Sequence, residues 1–277
     1  MTVTTDKEGH VQDHICLEPK TIKIARDWKK NIGDGPKDGY LAKGFMKFAF
    51  LGRTNSKTYT IFQCKPQRVT EAQNRINLIA ELRLLALGQY FAESFALRLA
   101  VHEVDASTSI RWNFQDAFIG DVSSGMLPCP DIGEEDLQSL SFPTFLAAPL
   151  ITTTGLYTER KFSGSDATGN NLDEVGRIVD AYAHHVLVDS QGSYLLTDLQ
   201  VNFLYRCESE TGFWDGGREH IKTWQKEHKC QSICRKLGLK DAIIDLERQD
   251  VTPVLQERTR PLRLGFSPVK TGREEIP

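Results

Sequence analysis

The sequence predicts an α+β domain, on three observations. Residues 41–65 alternate apolar and polar side chains and are rich in aromatic and β-branched types, the pattern of paired strands. An apolar stripe at helical spacing follows, from about Glu71 to Phe95. The second half then reads helix, short strand and helix in turn. With 277 residues, 40% hydrophobic and 26% charged, the chain is long enough for a two-lobed domain or two small domains with their own cores.

Residues 1–20 are polar, carry charges of both signs and are expected to form a flexible N-terminus. Residues 31–39 are turn-rich, and residues 41–50 interleave Lys43 and Lys47 with apolar or small side chains, which reads as one strand. A polar turn over residues 52–57 leads to a second strand over residues 58–65, stopped by Pro66 because proline brings no amide donor. Together they predict an antiparallel hairpin that ends on a lysine. In the long helix Ile76, Ile79, Leu82, Leu85, Ala86 and Tyr90 form the expected core stripe. Residues 97–104 and 118–122 read as further strands, 123–142 as an exposed connection, and 142–151 as a buried strand bracketed by prolines.

In the second half, Asn171 or Asp173 can cap a helix whose stripe is Leu172, Val175, Val179, Tyr182, Ala183 and Val186. Residues 189–192 form a turn, and residues 193–197 a short buried strand that delivers Asp198. After a glycine-rich stretch over residues 211–217, a further helix carries Ile221, Trp224 and His228. Residues from about 247 onward are polar with several prolines and read as a tail.

Composition excludes several classes. A net charge of -3 gives no basic footprint for nucleic acid. No apolar core of a signal peptide opens the chain, and no uninterrupted apolar run approaches the roughly 18 residues that span a bilayer. The expected compartment is cytoplasmic, where thiols stay reduced. Of six cysteines, Cys16, Cys64, Cys129 and Cys207 are scattered, and only Cys230 and Cys234 cluster, beside a histidine. That favours a metal over a bridge.

The sharpest local signal is His228-Lys-Cys230-Gln-Ser-Ile-Cys234. Cysteines at i and i+4 of a helix project from one side, with Cβ atoms about 6 Å apart, which suits two thiolates on one tetrahedral ion. Cys230 is expected near that helix's N-terminus, where the dipole favours a thiolate. His228 closes the preceding helix, and the fourth ligand must come from elsewhere, with His184 and His185 as the supply. The same residues also read as a core histidine and two buried thiols. Asp198 follows a buried strand, where an active-site carboxylate emerges or a turn is capped. Gln200 lies on the same side of an extended chain. Lys65 ends a hairpin strand, a position from which a lysine reaches nucleotide phosphates or simply meets water. There is no phosphate-binding G-x-x-x-x-G-K-[ST] loop and no H-R-D or D-F-G triplet, which excludes an ordinary P-loop enzyme or protein kinase.

In this order the pieces resemble the alpha-kinases, an atypical protein kinase family, over residues 40–240. Lys161-Phe-Ser-Gly-Ser165, Ala181-Tyr-Ala-His184, Asp198-Leu-Gln-Val201 and the closing His228, Cys230, Cys234 with Leu237-Gly-Leu239 carry the resemblance, with a flavour of the expanded fungal branch. It implies a two-lobed protein-kinase-like fold: an N-lobe of antiparallel sheet plus helix over residues 21–145, a zinc-stabilised C-lobe over 146–246, and a tail over 247–277. It further implies a serine/threonine protein kinase that uses ATP and Mg²⁺ on a protein substrate, with structural Zn²⁺ on His184, His228, Cys230 and Cys234. The resemblance makes Asp198 the catalytic aspartate and Gln200 a holder of Mg²⁺. Gly44 and Lys47 match the nucleotide-covering segment, and Lys65 matches the ATP-contacting lysine. Val201 stands where the family has glycine, Ala148 where it has an acidic residue before Pro149, and the family's downstream Asp-Pro is missing, leaving Glu208 or Glu210 as the substitute. A pseudokinase that binds nucleotide or a protein partner is the alternative.

Overall fold

The structure is a computed structural model describing residues 1–16, 18, 20–24, 40–122, 140–151, 160–164, 168–197, 199–201 and 217–239. The chain divides into two compact units. One comprises Met1–Asp6, Val11–Ala92 and Arg111–Glu159, and the other Lys7–His10, Glu93–Ile110 and Arg160–Pro277.

The first unit is built on a six-stranded antiparallel sheet. Its strands are β3 (Lys23–Ile24), β4 (Tyr40–Lys43), β5 (Lys47–Arg53), β6 (Thr58–Cys64), β7 (Phe118–Asp121) and β8 (Thr144–Pro149). The order is β3-β5-β6-β8-β7, with β4 also pairing β5. β5 and β6 pair from Lys47 opposite Cys64 to Arg53 opposite Thr58, the hairpin that the alternation predicts. The expected single strand over residues 41–50 is in fact two. The chain turns at Gly44-Phe-Met46, where the Gly44 N–H donates to Lys47 O at 2.9 Å, and β4 folds back along β5. Phe48, Phe50, Tyr59, Ile61, Phe145 and Ala147 form one core cluster, with Phe48 and Phe50 edge-on at 6.2 Å. β8 lies between β6 and β7, so residues 144–149 belong to this sheet.

The N-terminus also differs from expectation. β1 (Thr2–Thr5) and β2 (Val11–His14) pair antiparallel, Val3 and Val11 are buried, and the Met1 ammonium donates to Ile119 O at 2.8 Å. Two valines in a polar stretch are too sparse for a strand pattern. The pairing partner supplies what local sequence lacks.

Helix α1 (Glu71–Val101) runs six residues beyond the predicted end, so residues 97–101 are helical rather than a strand. Leu, Arg and Ala are strong helix formers, and an existing helix propagates through them at little cost. The predicted stripe is buried at Leu82, Leu85 and Ala86, with Leu78 and Leu87 buried beside it, whereas Ile76 is 53% exposed. Polar Asn74 is fully buried too, accepting the Cys64 N–H and donating to Thr144 O, both at 2.9 Å. By length and composition α1 could cross a bilayer. One side of it is buried in the protein, and Glu81 and Arg83 pair with Lys47 and Asp13.

The second unit holds β9 (Arg160–Lys161), α2 (Glu174–Asp189), β10 (Gln200–Val201), α3 (Gly217–Glu227) and α4 (Ser232–Lys236). Of the two candidate caps of α2, Asp173 takes the role, its carboxylate accepting the Gly176 N–H at 3.0 Å. Leu172 precedes the helix and is exposed, so it drops out of the stripe. The strand predicted over residues 193–197 does not form. Ser190 Oγ accepts the Tyr194 N–H at 3.0 Å and ties the start of this stretch to the turn after α2, and the pairing comes later, where Gln200 faces Lys161. Ala183, Leu187, Leu195 and Trp224 make the local core. The turn at 31–39, the connection at 123–139, the glycine-rich stretch at 211–216 and the tail at 247–277 lie outside the described residues.

Candidate functional site

In the sheet unit, the β5–β6 register sets Lys47 opposite Cys64, and the Lys65 N–H donates to Met46 O at 2.8 Å. The two lysines thus share one end of the hairpin, but strand alternation sends their side chains to opposite faces. Lys47 Nζ lies 5.6 Å from the Phe62 ring centroid, and Lys65 Nζ lies 5.1 Å from that of Phe48. The Lys47 ammonium also donates to both carboxylate oxygens of Glu81, each at 2.5 Å. Glu81 is on α1 and half-buried, and the sequence reading missed it. The signal was an acidic residue on the apolar side of a long helix, where a carboxylate stays only if something pairs it. Gly44 sits in the turn ahead of Lys47. A Cβ there would meet nothing nearer than Lys47 O at 4.0 Å, so the fold itself does not require glycine.

In the helical unit, donor atoms of His184, His228, Cys230 and Cys234 lie within 4.8 Å of one another. Cys230 Sγ is 3.7 Å from His184 Nδ1, and Cys234 Sγ is 3.8 Å from His228 Nε2. A tetrahedral ion with bonds of about 2.3 Å to sulfur and 2.0 Å to nitrogen sets such edges near 3.6 Å. The four donors fit one. The arrangement of the cysteines differs from that expected: α4 begins at Ser232, so Cys230 precedes the helix in the link from α3 and only Cys234 is helical. The link must therefore place Cys230 without help from a helical repeat. His228 follows the end of α3, and its ring stacks on Trp224 at 4.3 Å and 9°. His185, next to His184, is turned away and meets Ser94 Oγ at 3.1 Å.

Burial governs the protonation of these groups. It holds His228 down to about 4, with His184 beside it adding to the effect, and it pushes the Cys234 thiol up to about 11. Without a cation, then, His228 is a neutral imidazole ready to donate a lone pair, and Cys234 is a thiol. A divalent ion bound there would supply the charge that makes it a thiolate.

The remaining predicted residues divide. Asp198 and Glu208 lie outside the described residues. Gln200 is in β10, paired with Lys161, so Arg160–Phe162 and Leu199–Val201 run side by side. Leu199, adjacent to Asp198, is fixed from both sides: its N–H donates to Ser163 Oγ at 3.0 Å and its carbonyl accepts the Phe162 N–H at 2.8 Å. Ala148 is fully buried in β8, opposite Thr60.

Comparison with solved structures finds the alpha-kinase domain of myosin-II heavy chain kinase A. A crystal structure containing a phosphorylated aspartate matches at 12% identity and a TM-score of 0.50, covering 73% of this chain and 86% of that one. The apoenzyme of the same domain matches at 11% identity and a TM-score of 0.49, with the same coverage. At such identity the first likeness shows the fold. No curated protein sequence matches the chain. Among protein families, the alpha-kinase family matches residues 42–234, well over half of the sequence. The chain belongs to the alpha-kinase family.

Proposed function

We propose that the chain is an ATP-dependent serine/threonine protein kinase of the alpha-kinase type, braced by a structural zinc ion. The observation that carries this reading is the extent of the family match: residues 42–234 contain all ten residues assigned a role, from Gly44 to Cys234. Lys47 supports it further, because a lysine locked by a helix carboxylate keeps a fixed charge for a nucleotide phosphate, the division of labour that phosphoryl transfer uses. Gly44, where the fold leaves open space, lets backbone approach the same phosphates. In this reading Lys65 adds a second phosphate contact. Asp198 orients or deprotonates the substrate hydroxyl, and Gln200 with Glu208 would hold Mg²⁺. Positioning and charge neutralisation then supply most of the rate.

Zinc is the natural ion for two thiolates and two imidazoles at tetrahedral spacing. Its four protein ligands leave no position for water, so its contribution is to hold α2, α3 and α4 together. A site of two thiolates and two imidazoles suits a reducing, cytoplasmic setting.

A second reading, a pseudokinase that binds nucleotide without turnover, is favoured by Val201 in place of glycine and by the missing Asp-Pro. Two measurements separate them. Transfer of labelled phosphate from ATP to a basic protein, abolished in Asp198→Ala, is the outcome expected of a kinase. Stabilisation by Mg-ATP, lost in Lys65→Ala and unaccompanied by transfer, would establish the pseudokinase. If Mg-ATP neither stabilises the protein nor is turned over, both readings fall.

A further inference from the structure

The link His228-Lys-Cys230-Gln231 joins α3 to α4 and supplies two of the four metal donors, yet it lies in neither helix. Something other than helical geometry must give it shape. The contacts come from residues 168–171, ahead of α2. The Asn170 side chain spans His228: its Nδ2 donates to Glu227 O at 3.1 Å, and its Oδ1 accepts the Lys229 N–H at 3.0 Å. One amide thus satisfies backbone groups on both sides of a ligand. Beyond Cys230, Gln231 Nε2 donates to Asn171 O at 2.8 Å and to Asp180 Oδ2 at 3.3 Å. Asp180 stands one helical turn before His184 on α2, so the same helix carries a ligand and the anchor of the link.

The clamp is itself tightly specified. Asp180 is 5% exposed, and its carboxylate also accepts the Asn171 N–H at 2.6 Å and Asn171 Nδ2 at 2.8 Å. Asn170 has φ +43, a left-handed conformation that asparagine tolerates better than most side chains. A Cβ on Gly169 would stand 2.1 Å from Asp180 Oδ1 and 2.7 Å from Phe162 O, so only glycine fits. Three consecutive residues, Gly169, Asn170 and Asn171, are thus bound to one conformation whose hydrogen bonds point at the metal-bearing link.

We infer that Asn170 and Asp180 are positioning residues for the metal: they pre-form the His228–Cys230 turn, so that the ion finds its donors in place. The inference rests on the zinc reading above. Partners that orient ligands without touching the metal are commonly worth about 10–100-fold in affinity. Zinc binding to the full chain is to be measured by competition with a chromophoric chelator, and the electronic spectrum recorded with Co²⁺ substituted. The variants are Asn170→Gly, which removes the amide yet keeps the backbone conformation easy, and Asp180→Asn. Ser94→Ala serves as control, since it removes hydrogen bonds to Asp189 and His185 in the same unit, away from the link.

The expected result is zinc affinity at least tenfold weaker in both variants and within twofold of wild type in the control. The Co²⁺ spectrum should show weakened thiolate-to-metal bands as Cys230 loses its place. Affinity and spectrum unchanged in both variants, with wild type binding one zinc, would overturn the inference and leave the zinc reading standing. An equal loss in Ser94→Ala would overturn it as well, by showing that general destabilisation is the cause. If wild type binds no metal, both readings fall together.

Discussion

The two units solve the problem of staying folded in different ways. The sheet unit relies on bulk: β5, β6 and β8 pair along most of their lengths and bury an aromatic cluster around Phe48, Phe50 and Phe145. The described residues of the helical unit pair far less: β9 and β10 are two residues each and α4 has five, although Ile178, Tyr182, Val186, Leu196 and Leu237 are buried along with the cluster of Ala183, Leu187, Leu195 and Trp224. It adds directional contacts, namely the Asn170–Asp180 clamp and four donors spaced for a metal. Where so little backbone is paired between strands, cross-links by metal or polar network add to what the apolar core supplies. The sheet unit should therefore yield to changes of volume, and the helical unit to changes of charge and ligation.

The largest effect is expected from removing a ligand. Cys234→Ser should abolish metal retention, forfeiting binding energy on the order of 10 kcal/mol. Metal analysis and hydrogen exchange should show α2 and α4 unprotected while β5 and β6 stay protected. Full zinc occupancy with an unchanged melt would contradict the contrast at its root. Next in size is Phe50→Ala, at about 3–5 kcal/mol by the usual cost of emptying an aromatic site. Its effect on urea unfolding should be the same with and without a chelator. If the chelator changes the cost, the two units do not divide their stability as described.

Acid provides a third test. Burial depresses both His185 and His228 to about 4 in the folded protein, against an ordinary value of 6.5. The unfolded chain then binds more protons between those values, so stability is present above about pH 6.5 and is lost as pH falls towards 4. Protons would also compete with a metal bound to His228 in the same direction. Exchange protection should fail in the helical unit first across that window, and simultaneous failure in β5 and β6 would refute the assignment. The smallest effect belongs to Lys57→Ala. Its partner Asp116 and the lysine are both exposed, so the unfolding midpoint should stay within error of wild type.

These contrasts bear on what a sequence shows. The β5–β6 hairpin was legible because alternation and β-branched content are local properties. So was the pairing of His228 with Cys230 and Cys234, whose spacing in the chain is short. The β1–β2 hairpin and the end of α1 were not, since each is settled by a partner or by propagation from a neighbour rather than by its own residues. Glu81 was legible only in part: its place on the apolar side of α1 announces a partner, but nothing in its neighbourhood names Lys47, 34 positions earlier.

From its residues alone this chain determined its fold class, its family, and the four side chains whose donor atoms gather within 4.8 Å of one another. Which imidazole of His184 and His185 turns inward, where α4 starts relative to Cys230, and what steadies the link between α3 and α4 were decided only by packing. The physical reason is range. Periodicity and motif spacing act within a few turns of chain, whereas a clamp between Asn170 and Lys229 exists only once distant segments have been brought together.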